Sequence, residues 1–226
     1  MTKKQIHFFR ISAWILCVLE IWKQIYLTYV VGHYLWWHFP FQICSIPMYL
    51  CFAIGYGKKK YQNRLLCYLM TYSTVGAWAG LLGCPFLVWP RFIFNLHSYF
   101  WHIYIVFVGW VAGHIWMQTK RDLNDFKQST YLYFAFCLIA YFINQIVYPF
   151  AGINLFYLNP KVEFNLPIYR DFIPCIGYSW TIFIYLTSVV CFSLMTLNIW
   201  FNSSSWYKQN HKNQESENMK TVHESE

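Results

Sequence analysis

The sequence predicts an all-α, polytopic membrane protein: a bundle of six transmembrane helices with the N-terminus and C-terminus both cytoplasmic. Three observations carry that prediction. Hydrophobic residues fill 58% of the 226 positions and charged residues only 12%, where an average soluble domain holds ~45–50% and ~25%. The apolar residues gather in runs of about 20, the length that crosses the hydrocarbon core as a helix. Aromatic residues reach 23%, including twelve Trp and nineteen Tyr, and such rings favour the membrane–water interface. This composition excludes a soluble enzyme, a coiled coil and a disordered chain. Run length argues against a β-barrel, whose strands are ~10 residues of alternating polarity.

The expected spans are 8–31, 34–56, 65–89, 93–117, 130–151 and 177–201. The first follows MTKKQIHFFR, a basic start resembling a signal sequence. Glu20 and Lys23 interrupt that run and no small-residue cleavage site follows, so it reads as an uncleaved span. Orientation follows from the basic residues. Lys3, Lys4, Arg10, Lys58, Lys59, Lys60, Arg64, Lys120, Arg121, Lys127, Lys208, Lys212 and Lys220 fall on one side of the alternating topology. Only Arg91, Lys161 and Arg170 fall on the other. That asymmetry places the first set, and both termini, in the cytoplasm. Residues 1–201 form the transmembrane domain. The polar tail 202–226 is predicted to be a disordered cytoplasmic segment.

The net charge of +8 resides in these short clusters, and no basic face is left to take nucleic acid. Eight Cys without CxxC pairs signal neither a zinc knuckle nor a secreted disulfide framework. Cys84 and Cys175 both fall near the outer surface, where they are the candidates for pairing. No internal repeat of the transporter kind is visible.

Ionisable and amide side chains inside spans are costly and normally face the bundle interior. Glu20, Lys23 and Gln24, at spacings of three and four, share one face of the first helix. They form either an internal ion pair or a group that positions substrate or relays protons. The second span opens HFPFQICSIPMYL, in which Gln42, Cys44 and Ser45 cluster between Pro40 and Pro47. The fourth begins FIFNLHSYFWHIYIV, with Asn95, Ser98 and His102 on one face. His97 points away from His102 by roughly 140° on ideal geometry. The fifth carries Asn144 and Gln145, residues suited to interhelical hydrogen bonds.

The topology puts Cys44 and His102 in the same outer half. A thiol needs a nearby base to become the attacking thiolate, so a Cys44–His102 dyad is one reading, with Ser98 or Asn95 fixing the tautomer. A metal site competes for the same region, because His33, His38, Cys44, His97 and His102 are zinc or copper ligand types. No compact ligand spacing supports it, and no metal or other cofactor is expected.

FQICSIPMYL, NLHSYFWHIYIV and the pattern N-x7-G-x-N-L-F-Y-L-x-P, taken in order, resemble the YwaF-type family of bacterial integral membrane proteins. That family shares a proline followed by a short stretch ending in Leu-Cys, a His-bearing helix, and an Asn-containing connection before a Gly-Trp helix. The corresponding residues are Pro40 to Cys44, His97 and His102, Asn144 to Pro160, and Gly177 with Trp180. The likeness spans nearly the whole chain. Two departures are GYSW, where a Gly-Pro-Trp-Pro type turn is usual, and Ile43 in place of Leu. The family is similar in turn to a eukaryotic transmembrane acyltransferase that remodels ether phospholipids. By that resemblance Cys44 stands where the nucleophile is expected and His102 where the base is expected.

Two functions follow as expectations. One is an intramembrane lipid acyltransferase or acyl hydrolase in a bacterial plasma membrane, with membrane lipids as its partners. There Cys44 and His102 are catalytic, and Gln42, Ser45, Asn95, Ser98 and Asn144 support substrate or oxyanion. The other is a non-catalytic membrane module, a small transporter or partner subunit, in which Glu20, Lys23, Asn144 and Gln145 line a polar path. Transport would depend on Glu20 and be indifferent to Cys44; catalysis predicts the reverse.

Overall fold

The computed structural model describes residues 1–32, 34, 36–83, 92–119 and 122–223; the side chains of 37 and 203–223 lie outside that description. Every regular element among the described residues is helical. Helix α1, Lys3–Ile25, starts in a capping box: Gln5 N–H donates to Thr2 Oγ1 and Thr2 N–H to Gln5 Oε1. A π-helical turn, Tyr26–Val30, continues it. On α1 the residues Ile11, Trp14, Val18, Ile21 and Ile25 are exposed, while Ser12 and Glu20 are buried. The exposed residues recur every three or four positions, so they form one stripe. An outward apolar stripe with polar groups inside inverts the soluble pattern and suits a helix solvated by lipid.

Where one span was expected over 34–56, the chain instead makes a short 3-10 turn at Trp36–His38, a tight turn before Ser45, and α2, Ile46–Tyr56. The two prolines account for this. Pro40 has no N–H and biases its predecessor away from helix. Pro47 sits in the first turn of α2, where its missing donor costs nothing. Among the described residues, five helical segments are therefore long and apolar enough to cross a membrane: Lys3–Val30, Lys59–Gly83, Phe92–Met117, Leu123–Val147 and Tyr169–Asn202. The sixth apolar element, α2, has only 11 residues.

The span Lys59–Gly83 comprises α3, Gln62–Tyr68, a π-helical turn at Leu69–Ser73, and α4, Thr74–Gly83. It is the hub. Its apolar window is 61% buried, against 22% for Leu123–Val147, and it packs on α2, α5, α6 and α7. Helix α5 is Phe92–Met117 and α6 is Leu123–Val147, the latter capped by Asp122, whose Oδ1 accepts from Asn124 N–H. Helix α7, Ile173–His223, breaks once at Gly177, where φ is 79°. That value is costly for any residue with a Cβ and open to glycine.

Several helices begin earlier than their apolar runs. The first starts at Lys3 rather than residue 8, and α6 at Leu123 rather than residue 130. Lys, Arg and Gln are good helix formers, so the polar flanks extend the apolar helices instead of ending them. Tyr68, Tyr72, Tyr133 and Trp116 fill the interior, and Tyr72 and Tyr133 stack 4.9 Å apart.

Candidate functional site

The tight turn before α2 places Cys44. Ser45 N–H and Ile46 N–H both donate to the Gln42 carbonyl, at 2.8 and 3.3 Å. Trp101 of α5 donates its indole N–H to the Cys44 carbonyl at 3.0 Å. The cysteine backbone is thus pinned to α5 by the residue that precedes His102.

His102 is buried, and its Nδ1 lies 2.7 Å from the Ser98 carbonyl one turn earlier. A carbonyl only accepts, so Nδ1 carries the proton and the neutral ring keeps its lone pair on Nε2. The tautomer is set by the Ser98 backbone rather than by a side chain. The ring packs over Gly80 of α4, where a Cβ would collide with Nε2 and Cδ2. Only glycine allows α4 and the imidazole to come this close.

His97 hydrogen-bonds to the Leu19 carbonyl at 3.0 Å through Nε2. Its ring stacks on Trp22 and Trp101, with centroids 5.0 and 5.9 Å away. By the same argument its lone pair sits on Nδ1.

These groups meet at a cavity of about 230 Å³. Gln42, Cys44, Ser45, Asn95, Ser98 and His102 all line it, as do Lys23, His38 and His97. His97, expected on a different face from His102, reaches the same space because the cavity runs along α5 from Phe94 to His102. Against this polar wall stand Val75 and Ala79 of α4, Leu166 and Pro167 of the loop after α6, and Val189 of α7. The site is two-sided: α1, the 38–45 segment and α5 supply its charged, amide and imidazole groups, and the rest is apolar apart from the phenols of Tyr157 and Tyr185. Among the described residues no hydrogen bond joins Cys44 to His97 or His102.

Among the described residues Lys23 is the one lysine, arginine or carboxylate residue on the wall. Its Nζ contacts both oxygens of Glu20, at 2.7 and 2.8 Å. Gln24 donates to Glu20 Oε1 and to the His38 carbonyl, tying α1 to the turn at Trp36–His38. Glu20 is buried behind Lys23 and does not line the cavity. The ammonium also faces the Trp101 ring, 5.9 Å from its centroid.

The loop after α6 closes over one side, and amides hold it. Asn144 accepts from Leu155 N–H at 2.7 Å and donates to the Leu155 carbonyl at 3.0 Å. Gln42 accepts from Phe156 N–H and donates to the Asn154 carbonyl. Asn159 donates to the Ile153 carbonyl, and its N–H reaches Asn154 Oδ1. Tyr178 O–H donates to the Tyr157 carbonyl. These bonds hold Phe156 and Tyr157 at φ of 53° and 58°, and Ile168 follows at 72°. Such conformations are rare for bulky residues and persist only where surroundings over-determine them. Tyr157 and the Leu166–Pro167 pair are what the loop contributes to the cavity. Asn144 does not reach it.

Among the described residues no three His, Cys, Asp or Glu side chains group as metal ligands, and His33 lies outside the described residues. Cys175 is an exposed free thiol, and Cys84, its expected partner, also lies outside them. Sequence reasoning missed Gly80, Trp101 and the loop residues at the cavity. Their roles depend on contacts between distant segments and leave no local pattern.

No curated protein and no solved structure matches the chain. A sequence model described as the TMEM164 family matches residues 2–199. With nearly the whole helical bundle inside that match, the chain belongs to the TMEM164 family, a family of transmembrane proteins.

Proposed function

We propose that the protein is an intramembrane acyltransferase or acyl hydrolase acting on glycerolipid esters, with Cys44 as nucleophile and His102 as base. The observation that carries this reading is a thiol and an imidazole whose Nδ1 proton is engaged by the Ser98 carbonyl, both on one cavity with a largely apolar wall. In the reaction His102 Nε2 takes the thiol proton as Sγ attacks the ester carbonyl. The tetrahedral intermediate collapses, the C–O bond breaks, and the imidazolium returns the proton to the departing alcohol. A lysolipid hydroxyl or water then attacks the thioester with His102 again as base, which restores the thiol. Gln42, Ser45, Asn95 and Ser98 line the same cavity and would donate to the oxyanion. Catalytic pairs are often held apart in an empty site and tighten around substrate.

The likeness to a YwaF-type bacterial family, and through it to an ether-phospholipid acyltransferase, supports the same assignment. In this reading both termini are cytoplasmic, as the distribution of Lys and Arg favours, and the protein resides in a bacterial plasma membrane. The test is intact mass spectrometry of purified protein incubated with mixed phospholipids, for wild type, Cys44→Ala and His102→Ala. The expected result is a hydroxylamine-labile acyl adduct on wild type that Cys44→Ala abolishes. Unchanged lipid products from both variants would overturn the assignment.

A further inference from the structure

We infer that Lys23 makes the polar end of this cavity a seat for the anionic phosphate of a membrane glycerophospholipid. The inference rests on the cavity being a lipid site, as proposed above, and not on thiol chemistry at Cys44.

Three observations converge. The first is the direction of the ion pair. Its negative end, Glu20, is buried away from the cavity, and its positive end opens on it. A pair serving only to lock α1 into the bundle has no need of that asymmetry. An ammonium has three N–H donors, and a single carboxylate with two oxygens engages at most two of them in linear hydrogen bonds. At least one donor therefore remains for a ligand, and the charge is held in place by Glu20 and Trp101 before any ligand arrives.

The second is depth. Lys23 lies 20 residues beyond Lys3 on one continuous helix, about 30 Å along the axis at ~1.5 Å per residue. The hydrocarbon core is ~30 Å thick. With Lys3 at one interface, Lys23 comes to the headgroup level of the opposite leaflet, where lipid phosphates reside.

The third is the opposing wall. Apart from the phenols of Tyr157 and Tyr185, it is formed by Val75, Ala79, Leu166, Pro167 and Val189, which offer free phosphate no charge, whereas a lipid would set its glycerol and proximal chain carbons against them. A cation at headgroup depth facing an apolar wall matches the shape of an amphiphile with an anionic head.

Native mass spectrometry of the full chain in detergent tests this, with Cys44→Ala in every sample so that no turnover consumes ligand. The probes are dioleoyl phosphatidylethanolamine, dioleoylglycerol and inorganic phosphate. Phosphatidylethanolamine is expected to bind at least tenfold more tightly than dioleoylglycerol, the scale of one charge-assisted hydrogen bond. Lys23→Gln alone strands the Glu20 carboxylate, so the Glu20→Gln/Lys23→Gln double variant, which keeps two amides in contact, is the informative one. It is expected to bind both lipids equally, while Lys23→Arg keeps the preference. Equal binding of both lipids by the parent, or a preference surviving in the double variant, overturns the inference. Displacement of the phospholipid by millimolar inorganic phosphate would overturn the lipid source of the anion. An acyl adduct missing from wild type with the phosphate preference intact sinks the thiol reaction alone; an adduct without that preference sinks only the phosphate seat.

Discussion

Asn144 and His102 are buried polar residues on consecutive spans, yet their hydrogen-bonding capacity is used in opposite ways. Both polar atoms of the Asn144 amide are engaged with the backbone of Leu155, and nothing of it reaches the cavity. His102 gives Nδ1 to its own helix at Ser98, and its ring lines the cavity. Gln42 stands between the two, on the cavity wall but with its amide already holding Asn154 and Phe156. A polar residue in a span is therefore classified by where its second bond goes, not by residue type or depth.

The sharpest break of this contrast comes from His102. Replacement by Ala removes the proposed base and is expected to slow acyl transfer by ~10²–10⁴-fold. Its single hydrogen bond is to a carbonyl already within α5, so melting in detergent should move by only a few degrees. A variant that unfolds as readily as it loses activity would mark His102 as structural. Asn144→Leu should behave the other way. It leaves the buried Leu155 N–H and carbonyl without partners, at a cost of ~1–3 kcal/mol each in water-based references. Partner exchange within the membrane trims this toward the low end. Roughly 2 kcal/mol of lost stability, or a fall of ~4–8 °C in melting temperature for a chain of this size, is expected.

How far these roles are legible in the sequence differs by residue. The helices were readable from apolar runs alone, because lipid requires backbone hydrogen bonds to close within each segment. Cys44 and His102 were readable as neighbours in depth, and they do open on one cavity. The 34–56 segment was not, since its hydropathy suits a span while Pro40 and Pro47 break it into turns and an 11-residue helix. The loop clamps were also hidden. Gln42 and Phe156 are 114 positions apart, and an amide that will bind a distant backbone looks like one that will bind substrate. The Glu20–Lys23 spacing announced a pair, but not that only the lysine faces the cavity.

Gly80 offers a subtler test, because it lines the cavity without a side chain and a Cβ there would meet the His102 ring. A methyl group at Gly80 would occupy the position of the His102 ring edge, so the imidazole must tilt or α4 must withdraw. Overpacking of this kind costs ~1–3 kcal/mol, and misplacement of a base by about 1 Å costs up to ~10²-fold in rate. Gly80→Ala should lower kcat by about 10-fold with KM little changed. If Gly80→Ala and His102→Ala are combined, the double variant should be no slower than His102→Ala alone, since the glycine acts only through the ring. Additive losses would show that Gly80 serves helix packing instead.

The smallest effect is expected at Gly177, and it separates the loop from the cavity. Its φ of 79° breaks the start of α7 just before Tyr178, whose hydroxyl holds the Tyr157 carbonyl. Alanine there meets the penalty of ~1–3 kcal/mol for a backbone region that is essentially restricted to glycine, a modest fall in melting temperature. Because Tyr157 lines the cavity while Tyr178 does not, a functional loss passed on by Tyr178 runs through the loop. Tyr178→Phe, which deletes only the hydroxyl, should then reproduce the change in lipid affinity without the change in backbone strain. If Gly177→Ala alters affinity and Tyr178→Phe does not, the kink acts on the cavity by another route, and the loop is a cover rather than a wall.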